Sequence, residues 1–353
     1  MGHEADGHPA VNADEHFSGN THIMKLNPLI VAAGASALAI LPIQAQDEID
    51  LAFFSAWAAN SYNQAIYDGA LQAAAELGGV KVDMLDGGND AGLQFSQVED
   101  VVTSAKYDAF VLTPNDASGI EQAVATAVQS GMKGAVTLFP VGPDMGTLAP
   151  QIEGLVATAA HLPVPGARLQ AEAVAEYCAD KDPCRVVAIV GQMMYTTDNL
   201  RYEAYLDVFK EHANIQLVQA VEGKYDPDVT MTAMTDLLLV NPEIDAIVSV
   251  ADQHLVGAEI ALQEAGIDVA SVYLMGAGAS DSAVAAIREG RWDATLANYP
   301  RTMGYLATQA VVKAIRGETV DPEIDMDVFG PLPAILTKEV LDADPSFLGE
   351  WQG

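Results

Sequence analysis

Basic residues, cysteine and long apolar runs are all scarce in this chain, and each scarcity narrows what it can do. Lys and Arg number 16 against 49 Asp and Glu, a formal net charge of −33 at pH 7. A surface of that sign repels nucleic acid and anionic lipid. It also repels itself unless salt screens it, so a saline environment is expected. The two cysteines, Cys178 and Cys184, stand in YCADKDPC. No His lies near them to complete a metal site, and their spacing is not the C-x-x-C of redox chemistry. In an oxidising compartment they are expected to form a small local disulfide. The apolar run LIVAAGASALAILP at 29–42 has about 14 residues, short of a membrane span. Lys25 precedes it and Ile43-Gln44-Ala45 follows, so 24–45 reads as a secretory signal peptide. Residues 1–23 read as an extension ahead of Met24. Their His3, His8, His16 and His22 are too widely spaced to form a ligand motif.

Catalytic fingerprints are missing as well. There is no nucleophile elbow, P-loop or dinucleotide motif, and no His–carboxylate spacing suited to a catalytic metal. No cofactor is expected.

What is present is an apolar fraction of 50%, ample for large cores, in a remainder long enough for two domains. Apolar strand-like runs alternate with helical periodicity from DEIDLAFF at 47–54 onward. A helix is expected over 61–77, stopped by Gly78-Gly79. Further strands fall at 80–85, 108–112 and 134–138. The stretch 139–165 holds five prolines and three glycines and breaks the periodicity. A second series follows, with strands at 185–191, 215–221, 244–250, 272–276 and 293–298. Regular alternation of this kind predicts an α/β fold of two similar lobes, each a parallel sheet covered by helices. Ligands in such sheets sit beyond the carboxyl ends of the strands.

The loops at those ends carry amides, hydroxyls, carboxylates and aromatics. Trp57 and Tyr62 are candidates to stack on a ring, and Asn60 and Asn63 to bond hydroxyls, although Asn60 is equally a helix cap. Asn89, Phe139, Tyr195, Asp252 and Asn298 follow other strands, and Asp252 is also a candidate cap. His254 is expected on a helix surface. The inventory suits a neutral polyhydroxyl ligand.

At this point the chain resembles the ribose/galactose-class sugar-binding proteins, the type 1 periplasmic binding proteins that serve ABC transporters. The marks are NSYNQAIYDGA at 60–70, LDGGND at 85–90, YDAFVLTPND at 107–116, NLRYEAYLDVF at 199–209, VADQHLVGAEIALQEAG at 250–266 and WDATLANYPRTMGYLA at 292–307. The resemblance implies one lobe from 48–157 plus 299–325 and another from 158–298 plus 326–353, joined by three hinge crossings. It implies ligand contacts at Asn60, Tyr62, Asn63, Asn89, Asn199 and Asn298. It also implies a periplasmic, monomeric receptor that hands a carbohydrate or polyol to a membrane permease and performs no chemistry. Phe139-Pro140 stands where ribose binders carry an Asp-Arg pair, and Ala277-Gly278 where a relative carries Phe-Asp. Those departures point toward a deoxysugar, a polyol or a less polar solute. A sensory receptor and an exported carbohydrate-active enzyme are the alternatives.

Overall fold

A computed structural model describes residues 48–353. The stretches read from sequence as an extension (1–23) and a signal peptide (24–45) lie outside the described residues. Two six-stranded sheets form the framework. The first has the order β11-β5-β4-β3-β1-β2 and is parallel throughout. Its strands are β1 (Ile49–Ser55), β2 (Val80–Asp86), β3 (Ala109–Leu112), β4 (Lys133–Leu138), β5 (Ala157–Ala160) and β11 (Glu323–Asp325). The second has the order β12-β10-β9-β8-β6-β7. It comprises β6 (Cys184–Val190), β7 (Ile215–Glu222), β8 (Ala246–Ser249), β9 (Tyr273–Ala277), β10 (Ala294–Leu296) and β12 (Ile335–Thr337), with only β12 antiparallel. The chain passes between the sheets three times: after β5, after β10, and between β11 and β12.

Helices cover both faces of each sheet, so interior strands such as β3 and β8 are buried along their whole length, while the edge strands β2 and β7 carry polar residues. In β1, Leu51 and Phe53 join the core beneath α1 (Ser61–Leu77) and α9 (Pro300–Ile315), while Ala52 and Phe54 join the core beneath α2 (Ala91–Ser104) and α3 (Glu121–Gln129). In β6, Val186 and Ala188 face α4 (Pro163–Tyr177) and α5 (Thr196–Phe209). Val187 and Ile189 face the opposite way, towards α6 (Pro227–Val240) and α7 (Asp252–Glu264). The second lobe is completed by α8 (Asp281–Glu289) and α10 (Lys338–Ala343).

The start and stop signals act as expected at α1. Asn60 accepts from the Tyr62 and Asn63 backbone N–H groups, and Gly78 ends the helix at φ 66°. Glycine is also what lets α1 and α9 touch backbone to backbone. A Cβ on Gly304 would stand 1.8 Å from the Ile66 carbonyl oxygen, and one on Gly69 would stand 1.9 Å from that of Arg301. Cys178 and Cys184 form a disulfide at the turn from α4 to β6, their Cα atoms 5.6 Å apart.

Three short strands depart from the sequence reading. β5 lies inside the stretch expected to be irregular and extends the first sheet to residue 160, past the expected lobe boundary at 157. β11 and β12 have three residues each, too few to show a period.

Candidate functional site

The carboxyl ends of both sheets converge on one cavity of about 140 Å³. From the first lobe it is lined by Trp57 after β1, Asn89 after β2, Asn115 after β3, Phe139 after β4 and His161 after β5. From the second come Gln192 after β6, Tyr225 after β7, Ala251 after β8, Ala277 at the end of β9 and Asn298 after β10. Asn60, Tyr62, Asn63 and Tyr195 border it too. Two hydrogen bonds cross from lobe to lobe at this level. Gln192 Nε2 donates to Asn89 Oδ1 at 3.4 Å, and Ser118 Oγ donates to Thr196 Oγ1 at 3.3 Å.

Buried amides fix the loops. Gln94 donates to the Thr113 carbonyl at 2.8 Å and accepts from the Asn115 N–H at 2.9 Å. Gln170 does the equivalent work in the other lobe, donating to the carbonyls of Ser249 and Gly276 at 2.8 Å each. Asn89, Leu138 and Tyr225 all line the cavity with left-handed backbone, at φ 57°, 70° and 58°. Strain of this kind concentrates where a site must be shaped.

A charged cluster sits in the wall. Asp198, on the first turn of α5, is 1% exposed and ion-pairs with Arg201 one turn later. Asp198 also accepts from the Gln192 N–H and from the Tyr225 hydroxyl, each at 2.6 Å. Arg201 donates to the Tyr225 hydroxyl at 2.6 Å and lies over the Phe139 ring of the opposite lobe, 5.2 Å from its centroid. Burial works against the Arg201 charge, but Tyr225 and Asp198 more than offset it and raise its pKa. A second pair joins two of the crossings: His161 Nδ1 and Asp327 Oδ1 are 2.6 Å apart.

Four buried polar atoms on these lining residues have no partner: Tyr62 Oη, Asn63 Oδ1, His161 Nε2 and Arg201 Nε. Burial, reinforced by Glu350, pushes the Tyr62 phenol well up, so it stays neutral and able to donate.

Eight of the ten expected ligand residues therefore border the cavity: Trp57, Asn60, Tyr62, Asn63, Asn89, Phe139, Tyr195 and Asn298. Asn60 serves at once as helix cap and lining residue. Asn199 does not border the cavity. Its side chain turns back to the Met193 carbonyl, and Arg201 holds the lining position on that helix. Asp252 is not a lining residue either. It is fully buried beneath the loops, accepting from Ser280 N–H at 2.8 Å and from Thr295 Oγ1 at 2.7 Å. His254, expected at the surface, is also fully buried. Its Nε2 accepts from the Tyr225 N–H at 2.8 Å, which places Tyr225 in the wall. Sequence reasoning missed Arg201, Tyr225, His161, Gln192 and Trp351. For Arg201 a signal existed, since it lies in the NLRYEAYLDVF segment that carries the resemblance.

Residues 51–319 match the family model of the periplasmic binding protein domain. The chain belongs to this family. Periplasmic binding proteins bind a solute and are not enzymes. Among curated relatives, a ribose import binding protein of Bacillus subtilis is 28% identical over 256 residues, 72% of this chain and 78% of its own length. A ribose import binding protein of Haemophilus influenzae is 25% identical over 285 residues, 80% of this chain and 91% of its own. Among solved structures, an ABC transporter solute-binding protein of Bacillus halodurans with bound myo-inositol superposes with TM-score 0.73 at 21% identity, covering 85% of this chain and 99% of the other. One from Agrobacterium vitis with bound D-fucose gives TM-score 0.74 at 18% identity, covering 84% and 98%. At those identities the structural likeness speaks for the fold. Among the described residues there is no helix long and apolar enough to cross a membrane, and no acidic or His cluster suited to a metal ion.

Proposed function

We propose that this protein is the exported, periplasmic solute-binding component of an ABC importer. It closes its two lobes on a small neutral ring solute: a sugar, a deoxysugar or a cyclic polyol. The observation that carries this reading is the pairing of charge inside a cavity rich in unmatched polar atoms. Asp198 is matched by Arg201, and Asp327 lies 2.6 Å from His161 Nδ1, so both carboxylates already have partners within the protein. Tyr62 Oη, Asn63 Oδ1, His161 Nε2 and Arg201 Nε instead offer a mixture of donors and acceptors. Leaving such groups buried and unpaired costs about 1–3 kcal/mol each, which a hydroxylated ligand recovers. Trp57 and Phe139 supply apolar area for the C–H faces of a ring.

Contacts from both lobes shift the open–closed equilibrium towards the closed form, which presents both lobes to a membrane permease. The relatives named for ribose import and the neighbours that hold myo-inositol or D-fucose support the ligand class. The test is a thermal-shift screen of pentoses, hexoses, deoxysugars, cyclitols and organic acids. Bound ligand stabilises the native state, so neutral ring solutes are expected to raise Tm. A rise confined to organic acids or amino acids overturns the reading.

A further inference from the structure

The residues after α10 run away from the second sheet and finish against the first lobe. Their hold on the second lobe is extensive. The Trp351 carbonyl accepts from Asp281 N–H at 2.8 Å, and the Gln352 carbonyl from Ser282 N–H at 3.1 Å. These are the first two residues of α8, whose N–H groups have no partner within the helix. Gly349 N–H donates to Asp281 Oδ1 at 2.9 Å, and Trp351 Nε1 donates to the Gly278 carbonyl at 2.6 Å.

Their hold on the first lobe is made at the starts of α1 and α9. Thr302 donates to the Glu350 carboxylate twice, from N–H at 2.9 Å and from Oγ1 at 2.5 Å. A carboxylate is favoured at that end of a helix. Ser61 Oγ donates to the Gly353 carbonyl at 3.3 Å. The Trp351 ring meets Tyr62 edge to face, with centroids 5.2 Å apart and planes at 79°.

Trp351 is 3% exposed and borders the solute cavity alongside Tyr62. Its seat depends on Gly278. A Cβ at that position would lie 2.3 Å from Trp351 Cζ2, and φ there is 130°. With no side chain at Gly278, the indole from the C-terminal segment occupies the space beside it.

We propose that segment 347–353 is a strap in which Trp351 is a ligand-contacting, specificity-determining residue and Glu350 is the latch that holds it to the first lobe. An indole on the cavity wall offers a ring an apolar face, and so favours solutes with a contiguous C–H surface, such as a deoxysugar or a cyclitol. Because the strap bonds to both lobes, its hold is complete only when they are together. The ligand-contact part of this inference rests on the function proposed above; the latch does not.

Two measurements on the full chain test it. In the first, calorimetric titrations with D-fucose, myo-inositol and D-ribose compare wild type with Trp351→Ala, Trp351→Phe and Gly278→Ala. Trp351→Ala is expected to weaken binding of the preferred sugar by on the order of tenfold and to narrow the preference among the three, with Trp351→Phe restoring part of both. Equal affinities for all three sugars in wild type and Trp351→Ala overturn the specificity role. So does a Trp351→Phe variant as weak as Trp351→Ala. In the second, Trp57→Phe/Trp292→Phe protein, in which Trp351 is the one remaining tryptophan, is quenched with acrylamide without any sugar. Adding Glu350→Ala is expected to raise the quenching constant. An unchanged constant overturns the latch. If wild type binds none of the three sugars, the carbohydrate reading and Trp351's role in it both fail, while the quenching measurement still decides the latch.

Discussion

Arg201 ties together the cavity wall through Asp198, Tyr225 and Phe139, and Arg201→Met isolates its contribution. Methionine keeps much of the packing volume and removes the charge and its donors. What it leaves behind is Asp198, which is 1% exposed. Breaking a buried ion pair by removing one partner costs about 3–5 kcal/mol, because the other charge stays buried. Asp198 keeps its bonds from Gln192 N–H and Tyr225 Oη, so the lower end of that range applies. At roughly 2–4 °C per kcal/mol, a loss of about 3 kcal/mol lowers Tm by about 6–12 °C. Ligand binding should weaken as well, since a hydrogen bond from a charged group contributes about 1.5–3 kcal/mol. The assay is urea denaturation of the unliganded protein together with titration of the best solute from the thermal screen. Asp198→Asn and the double variant complete a cycle. The double variant should fall short of the summed single losses by about 0.5–3 kcal/mol, the range for groups in direct contact. A loss below about 1 kcal/mol for Arg201→Met, the range of solvent-exposed pairs, refutes the reasoning. Strict additivity in the cycle refutes it too.

Gly304→Ala forces a methyl group into the Ile66 carbonyl oxygen, and because the obstacle is backbone it should lower stability by at least the ~1–3 kcal/mol of core overpacking. An unchanged urea midpoint would show that α1 and α9 can separate freely. Burial raises the Asp252 carboxyl to about 6, from an ordinary 3.8, against the opposing bonds from Ser280 and Thr295. The folded state thus holds a proton that the unfolded state has released between those values, so this group's contribution to stability is full below pH ~4 and lost as pH rises through ~6. About two pH units correspond to about 3 kcal/mol, and Asp252→Asn should remove that part of the slope between pH 4.5 and 7 when denaturation curves are compared. Parallel pH profiles for the variant and wild type would contradict it. Finally, a net charge of −33 should make the unfolding midpoint rise with NaCl as repulsion is screened, and a flat or falling midpoint would remove the saline expectation.

Where the fold was legible, a local signal coincided with a long period. α1 was bounded correctly because Asn60 caps it, Gly78-Gly79 ends it, and seventeen residues give its periodicity room to show. The strands of the two sheet interiors were legible because burial on both faces leaves nearly continuous apolar runs. β5 was not legible. Its residues Ala157, Thr158, Ala159 and Ala160 carry little β preference, and they are strand only because β4 and β11 flank them. β11 and β12 exist for the same tertiary reason. In the site, the rule that ligand groups follow strand ends led to the loops that border the cavity, yet it could not rotate a helix. Asn199 and Arg201 are two residues apart, about 200° around the helix axis at 100° per residue, so only one of them can face the cavity.

The remaining misses share a cause that also bears on specificity. The pairings that define this cavity join residues far apart in sequence: Phe139 with Arg201, His161 with Asp327, and Tyr62 with Trp351. Read along the chain, Phe139 looks like a lost charge, because it stands where an Asp-Arg pair is expected. In three dimensions it faces a guanidinium supplied by the other lobe, whose acidic partner, Asp198, sits on Arg201's own helix. Gly278 likewise reads as a missing acid until Trp351 is seen filling its place. Both contacts put an aromatic ring on the cavity wall, and the one at Phe139 lies against Arg201, already paired with the Asp198 carboxylate. On the function proposed above, such a wall favours a solute with a contiguous C–H face.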